Sequence, residues 1–106
     1  MKFEHKQIEN SKLLLSLSGD FDAVGANGIR SQLQNICEST SADTVVFDIG
    51  EVQFIDSSGI GAIVFLFKRL KEKGRQLRII SAQGQPAQLL QLLRVHKAIP
   101  VEMAAN

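Results

Sequence analysis

Residues 44–59 read Thr44-Val45-Val46-Phe47-Asp48-Ile49, a connecting stretch 50–55, and Asp56-Ser57-Ser58-Gly59. The opening six residues form a short β-branched apolar run, the composition of a strand buried on both faces. After the glycine the period changes: Ile60, Ile63, Val64, Phe67 and Leu70 fall on one helical stripe. Gly74 then ends the helix, in the position where a glycine commonly stands just past a C-terminus. Lys68, Arg69, Lys71 and Lys73 place cations at that end, where the helix dipole favours them. The stretch is therefore a strand, a tight turn and a helix.

Upstream, residues 3–8 and 13–17 predict two strands joined by a turn around Asn10-Ser11. Leu13, Leu15 and Leu17 alternate with Leu14, Ser16 and Ser18, the period of a half-buried strand. Gly19-Asp20-Phe21-Asp22 interrupts this alternation. Asp22 suits the N-cap of a helix ending near Cys37, with Ala26, Ile29, Leu33 and Ile36 at helical spacing. Gly25 and Gly28 each weaken its first turns by about 1 kcal/mol relative to alanine. A polar loop is expected at 38–42.

Downstream, residues 76–81 predict a strand carrying Leu77, Ile79 and Ile80. A third helix is expected over 86–95, opened by Pro86 at its first position and carrying Leu89, Leu90, Leu92 and Leu93. Ile99-Pro100-Val101 suits a short edge strand, and residues 103–106 are expected to fray. The order is β-β-α-β-α-β-α(-β), an α/β arrangement with a mixed sheet covered by helices.

Composition excludes several classes of function. A chain of 106 residues, 44% hydrophobic, suits one domain with its own core. A net charge of +1 with interspersed signs lacks the basic footprint of a nucleic-acid binder, and the absence of Trp and Tyr removes the best stacking platforms. Cys37 is the only cysteine, which leaves no internal disulfide, no Cys/His metal cluster and no implied cofactor, and a cytoplasmic setting is expected. The first six residues show no apolar core of a secretory leader, and the apolar run 60–67 falls far short of the roughly 20 residues that span a bilayer. His5 and His96 have no serine or cysteine arranged beside them as a nucleophile, so no catalytic triad is expected. Gly59 and Gly61 lack the following lysine of a phosphate loop.

One segment carries chemistry. Asp56-Ser57-Ser58-Gly59 lies where a strand delivers the chain to a helix, the end of an α/β sheet that usually holds function. The helix's first N–H groups lack intrahelical partners. A hydroxyl of Ser57 or Ser58 could cap them, with Gly59 serving close packing. The same N–H groups and the helix dipole could also receive a phosphate carried on that hydroxyl. Taken alone, the four residues favour the plain cap, since serine caps are common.

Across residues 3–101 the chain resembles the STAS domain, the bacterial family of anti-sigma factor antagonists. The resemblance is carried by Val45-Val46-Phe47-Asp48-Ile49 and Phe54-Ile55-Asp56-Ser57-Ser58-Gly59-Ile60-Gly61, supported by Leu17-Ser18-Gly19-Asp20-Phe21-Asp22 and the late Leu89-Leu90 helix. Ile60 stands where the family often has leucine, and Gly25, Asn27 and Gly28 make the first helix less regular than the family pattern. The resemblance implies a STAS-type mixed sheet of four to five strands with three main helices. It also implies phosphorylation at Ser57 by a partner that is both anti-sigma factor and serine kinase, release of that partner, and restoration by a serine phosphatase. Asp22 is expected near Ser57. The implied protein is a kinase substrate and not itself an enzyme. Related domains also serve as scaffold subunits beside lipid and anion transporters, which supplies a rival expectation.

The partner-binding surface expected from these considerations comprises Asp22, Asp56, Ser57, Ser58, Gly59, Ala62, Phe65 and Arg69. With the stripe from Ile60 to Leu70 facing inward, Phe65 is expected nearly opposite, flanked by Ala62, Arg69 and Leu66, where an aromatic can anchor a partner.

Overall fold

In a computed structural model that describes residues 1–9 and 11–105, the chain forms one five-stranded sheet in the order β1-β2-β3-β4-β5. Its elements are β1 (Lys2–Glu9), β2 (Lys12–Phe21), α1 (Ala23–Ser39), β3 (Thr44–Ile55), α2 (Ser57–Glu72), β4 (Gln76–Ala82), α3 (Gly84–Leu92), a 3₁₀ turn (Val95–Lys97) and β5 (Val101–Met103). β1 is antiparallel to β2, and the remaining pairs are parallel. The expected element order and the mixed sheet are therefore both present, with the last strand formed. Asn10 of the expected hairpin turn lies outside the described residues, as does Asn106.

Cross-strand rows define the core. Leu13, Val45 and Leu77 stand in one row, and Leu15, Phe47 and Ile79 in the next. All six are buried, and they share one apolar cluster with Ile29 and Leu33 of α1, Ile63, Leu66 and Leu70 of α2, and Ala87 and Leu90 of α3. Burying each large apolar side chain contributes roughly 1.5–3 kcal/mol. Val46, of opposite parity, is buried but stands outside this cluster. The helices therefore cover a single face, and the expectation that β3 is buried on both faces needs correction. Thr44 and Asp48 on its other face are only half-buried.

Two strands run further than their hydrophobic patterns indicated. β2 continues through Gly19-Asp20-Phe21, and β3 continues through the stretch 50–55. Each extension is the other's partner: Ser18 pairs Glu51, Gly19 pairs Val52, Asp20 pairs Phe54 and Phe21 pairs Ile55. Register shifts in this ladder break the simple alternation, and Gly19 takes φ +103° beside one of them.

The helices differ from expectation at their ends. α1 runs on to Ser39, into the expected loop. Lys73 Nζ donates to the carbonyl oxygens of Cys37 (2.9 Å) and Glu38 (3.3 Å), so α2's end partly caps α1's. Lys73 is the C-cap of α2, and Gly74 follows with φ +71°, as the sequence indicated. α3 starts at Gly84, which places Pro86 third in the helix, still within the turn whose N–H groups lack partners. It stops at Leu92, because Arg94 turns left-handed at φ +57°. Leu92 and Leu93 are thereby exposed instead of packed. Met103 lies in β5, and Ala104 N–H donates to Ala82 C=O at 2.9 Å, so the expected fraying does not extend to these residues.

Candidate functional site

The ladder that ends β2 and β3 sets two helix starts side by side. Phe21 pairs Ile55, and the N–H of Asp56 donates to the carbonyl of Phe21 at 3.4 Å. The next residues along each strand are Asp22 and Asp56, and each caps the helix that follows. Asp22 Oδ1 accepts from Gly25 N–H at 3.0 Å. Asp56 Oδ1 accepts from Ser58 N–H at 2.9 Å and Gly59 N–H at 3.2 Å. Asp22 was expected as a cap. At the second helix the sequence pointed to a serine hydroxyl, whereas the aspartate carboxylate takes that role. A charged acceptor at the positive end of a helix makes the stronger bond.

This division leaves the serines free of capping duty. Ser57 is the first residue of α2 and is exposed, and Ser58 is half-buried. Gly59 is buried because α2 starts hard against β2. A Cβ at position 59 would collide with the carbonyl oxygen of Phe21 and approach Ile55 Cγ1 to 2.7 Å. Gly25 plays the same part in α1, where a Cβ would meet the carbonyl oxygen of Asp20 at 2.5 Å. The glycine that looked unfavourable for α1 is thus required by the approach of helix to strand. Gly28 has open space about it.

Beyond these helix starts, α1 and α2 pack together and leave an open groove of about 1050 Å³. Ser58, Gly61, Ala62 and Phe65 line one wall, and Val24, Asn27, Gly28 and Arg30 contribute to the other. Here the expected orientation of α2 is corrected. The buried stripe is Gly59, Ile63, Leu66 and Leu70, whereas Ile60, Val64 and Phe67 are half-buried. Leu66, assigned to the flank, is fully buried. This rotation brings Phe65 round to the groove, where it is half-buried and stands outside the core cluster. The Arg69 guanidinium lies 5.3 Å from the Phe65 ring centroid.

The residues chosen from sequence thus fall into two adjoining groups: Asp22, Asp56, Ser57, Ser58 and Gly59 at the helix starts, and Ala62, Phe65 and Arg69 along α2. The α1 wall, with Val24 83% exposed, was missed. Its only signal was an apolar residue two positions after a helix cap. Among the described residues no group of three or more His, Cys, Asp or Glu side chains could hold a metal, and no helix is long and apolar enough to cross a membrane.

The profile of the STAS domain family matches residues 2–105. The chain belongs to the STAS domain family. Among relatives of this STAS domain, the anti-sigma F factor antagonist of Paenibacillus polymyxa is 26% identical over 89 residues, 84% of this chain and 76% of that protein. An anti-sigma factor antagonist from Mycobacterium paratuberculosis superposes with a TM-score of 0.84 at 17% identity, covering 95% of this chain and 84% of the other. SpoIIAA in its unphosphorylated form gives 0.73 at 17% identity, with 99% and 90% covered. The phosphorylated form of SpoIIAA, described as a Bacillus cell fate determinant, gives 0.74 at 15% identity, with 94% and 90% covered. At these identities the structures establish the STAS fold, and the functional reading rests on the site.

Proposed function

We propose that this STAS domain is an anti-sigma factor antagonist in a partner-switching pathway. It binds an anti-sigma factor that is also a serine kinase while Ser57 carries a free hydroxyl, and it is released once Ser57 is phosphorylated. A serine phosphatase then restores the binding form. The observation that carries this reading is the division of labour at the start of α2. Asp56 satisfies the helix N–H groups, so the exposed Ser57 hydroxyl is available to a partner. The relative named as an anti-sigma F factor antagonist, and a neighbouring fold known in both unphosphorylated and phosphorylated forms, support it.

In the transfer, Ser57 Oγ bonds to the γ-phosphorus of ATP, the bond to the bridging oxygen breaks and ADP leaves. The hydroxyl proton passes to a base on the kinase. The product adds about −1.5 to −2 charges at neutral pH, next to the Asp56 carboxylate and near Asp22. The α2 N-terminus tolerates that charge within the fold. A partner surface fitted to a neutral hydroxyl does not.

Incubation with ATP and each candidate anti-sigma kinase from the same genome, followed by mass-spectrometric mapping, tests the proposal. One phosphate on Ser57 is expected. Failure of every kinase to modify Ser57 would favour the rival, a scaffold role in a transport complex, which needs no hydroxyl at this position.

A further inference from the structure

β4 pairs with β3 only as far as the Asp48–Ile80 pair, so the later part of β3 continues with β2 on one side and no ladder to β4 on the other. Ile55, its last residue, is fully buried as a side chain. Its backbone polar groups still need partners. The side-chain amide of Gln85, from the first turn of α3, supplies both. Gln85 Oε1 accepts from Ile55 N–H at 2.9 Å, and Gln85 Nε2 donates to Ile55 C=O at 2.8 Å. A primary amide has the same donor and acceptor as a peptide group, so Gln85 takes the place of the missing strand. Nearby, Gln83 Nε2 donates to the Gly50 carbonyl at 3.0 Å, a second tie to the same extension.

Ile55 immediately precedes the cap Asp56, and Ser57 comes next. We propose that Gln85 is a positioning residue for phosphoryl transfer to Ser57. The inference rests on the reading of Ser57 as phosphoacceptor. Transfer requires the acceptor oxygen within roughly 3–3.5 Å of the phosphorus and in line with the leaving oxygen, and a misplacement of about 1 Å can cost on the order of a hundredfold in rate. The two amide bonds fix the backbone from which Asp56 and Ser57 project. The buried Ile55 side chain and the packing of Gly59 against Phe21 are contacts of the same junction that do not involve Gln85. Losing Gln85 should therefore slow turnover more than it weakens docking of the partner.

The test compares wild type with Gln85→Leu, Gln85→Glu and, as control, the exposed position Gln88→Ala. The kinase is the genome-encoded anti-sigma kinase that modifies wild-type Ser57. Gln85→Leu removes both bonds at similar volume. Gln85→Glu keeps the acceptor for Ile55 N–H and loses the donor to Ile55 C=O. Expected are a kcat at least tenfold lower for Gln85→Leu, a loss at least as large for Gln85→Glu because its second carboxylate oxygen faces the Ile55 carbonyl oxygen, KM for the STAS substrate within about threefold of wild type, and wild-type behaviour of Gln88→Ala. Amide exchange in the isolated protein should speed up at Ile55 and leave Phe47 and Ile79 unchanged. An unchanged kcat in Gln85→Leu overturns the role of Gln85 while leaving the phosphoswitch standing. A loss confined to KM, or one that tracks general unfolding in the exchange data, also overturns it. Absence of phosphate on wild-type Ser57 overturns the underlying reading itself.

Discussion

Gly59 lies directly against the carbonyl of Phe21, leaving no room for a β-carbon between α2 and the end of β2. The contact joins the strand that leads to Asp22 with the helix that begins at Ser57. Because the obstructing atom belongs to backbone, the neighbour cannot swing aside. Gly59→Ala should cost about 3 kcal/mol, at the upper end for overpacking. Gly61→Ala, two residues on with nothing within 4 Å of its added Cβ, should be neutral or gain up to about 1 kcal/mol from helix propensity. Urea denaturation midpoints of the two variants check the contrast, and equal destabilisation would contradict it.

The two caps give a second prediction. Asp56→Ala removes the acceptor for two N–H groups and should cost about 1–2 kcal/mol, whereas Asp56→Asn should retain most of the stability. Asp22→Ala removes one bond and should cost about 1 kcal/mol. If a serine were the true cap of α2, Ser58→Ala would be the more damaging change. Denaturation of all four variants under one buffer settles the order.

Several of these relationships were legible in the chain and others were not, for physical reasons. The alternating leucines of β2 disclosed one central strand because one-sided burial leaves a period in sequence, and the β-branched apolar run of β3 disclosed another through its composition. Their extensions were hidden, since residues such as Gly19 and Val52 pair across a shifted register that no local period records. On α2 apolar residues occupy most positions from 60 to 67, so two stripes competed and the one containing Leu66 was passed over. The Asp56-Ser57-Ser58-Gly59 turn was located correctly, but two adjacent residue types both cap helices, and only geometry assigns the bond to the carboxylate. Gln85 was invisible because its bonds reach a residue 30 positions away.

Phe65 lines the groove without joining the core, so its two contributions are separable. Phe65→Ala should lower stability by no more than about 1 kcal/mol, because little fully buried area is lost. Binding of the kinase partner should weaken by about 2 kcal/mol, some thirtyfold in Kd, as for a central aromatic anchor. Titration calorimetry and thermal melts on the same samples measure both. A stability loss of several kcal/mol would instead make Phe65 a core residue.

Cys37 provides a test through pH. Burial raises its thiol pKa above the ordinary value, and the nearby Lys73 and Arg69 charges offset this only in part. The fold thus favours the neutral thiol. Its contribution to stability is full below the unfolded thiol's pKa of about 8.5 and is lost as pH rises through the higher folded value. Between neutral and strongly alkaline pH, wild type should therefore lose more stability than Cys37→Ala. At neutral pH the native thiol should react with an aromatic disulfide reagent far more slowly than the same thiol in denaturant.

The last prediction separates loss of a contact from loss of a fold. Ser57 is exposed at the first position of α2, where a negative charge meets a favourable dipole and an unfavourable neighbour in Asp56. These opposing terms are each of order 0.3–1 kcal/mol at such a site, so Ser57→Asp should change stability by less than about 1 kcal/mol. Binding to the kinase partner should fall by at least tenfold, because a carboxylate brought into a surface fitted to a hydroxyl must be desolvated without a counter-charge. Ser57→Ala should bind persistently, even with ATP present, since the partner can no longer discharge it. Ser58→Ala, next in the chain and facing the groove, should still be released on addition of ATP. Surface plasmon resonance with and without ATP distinguishes the three variants. Release of Ser57→Ala by ATP would move the phosphoacceptor away from position 57.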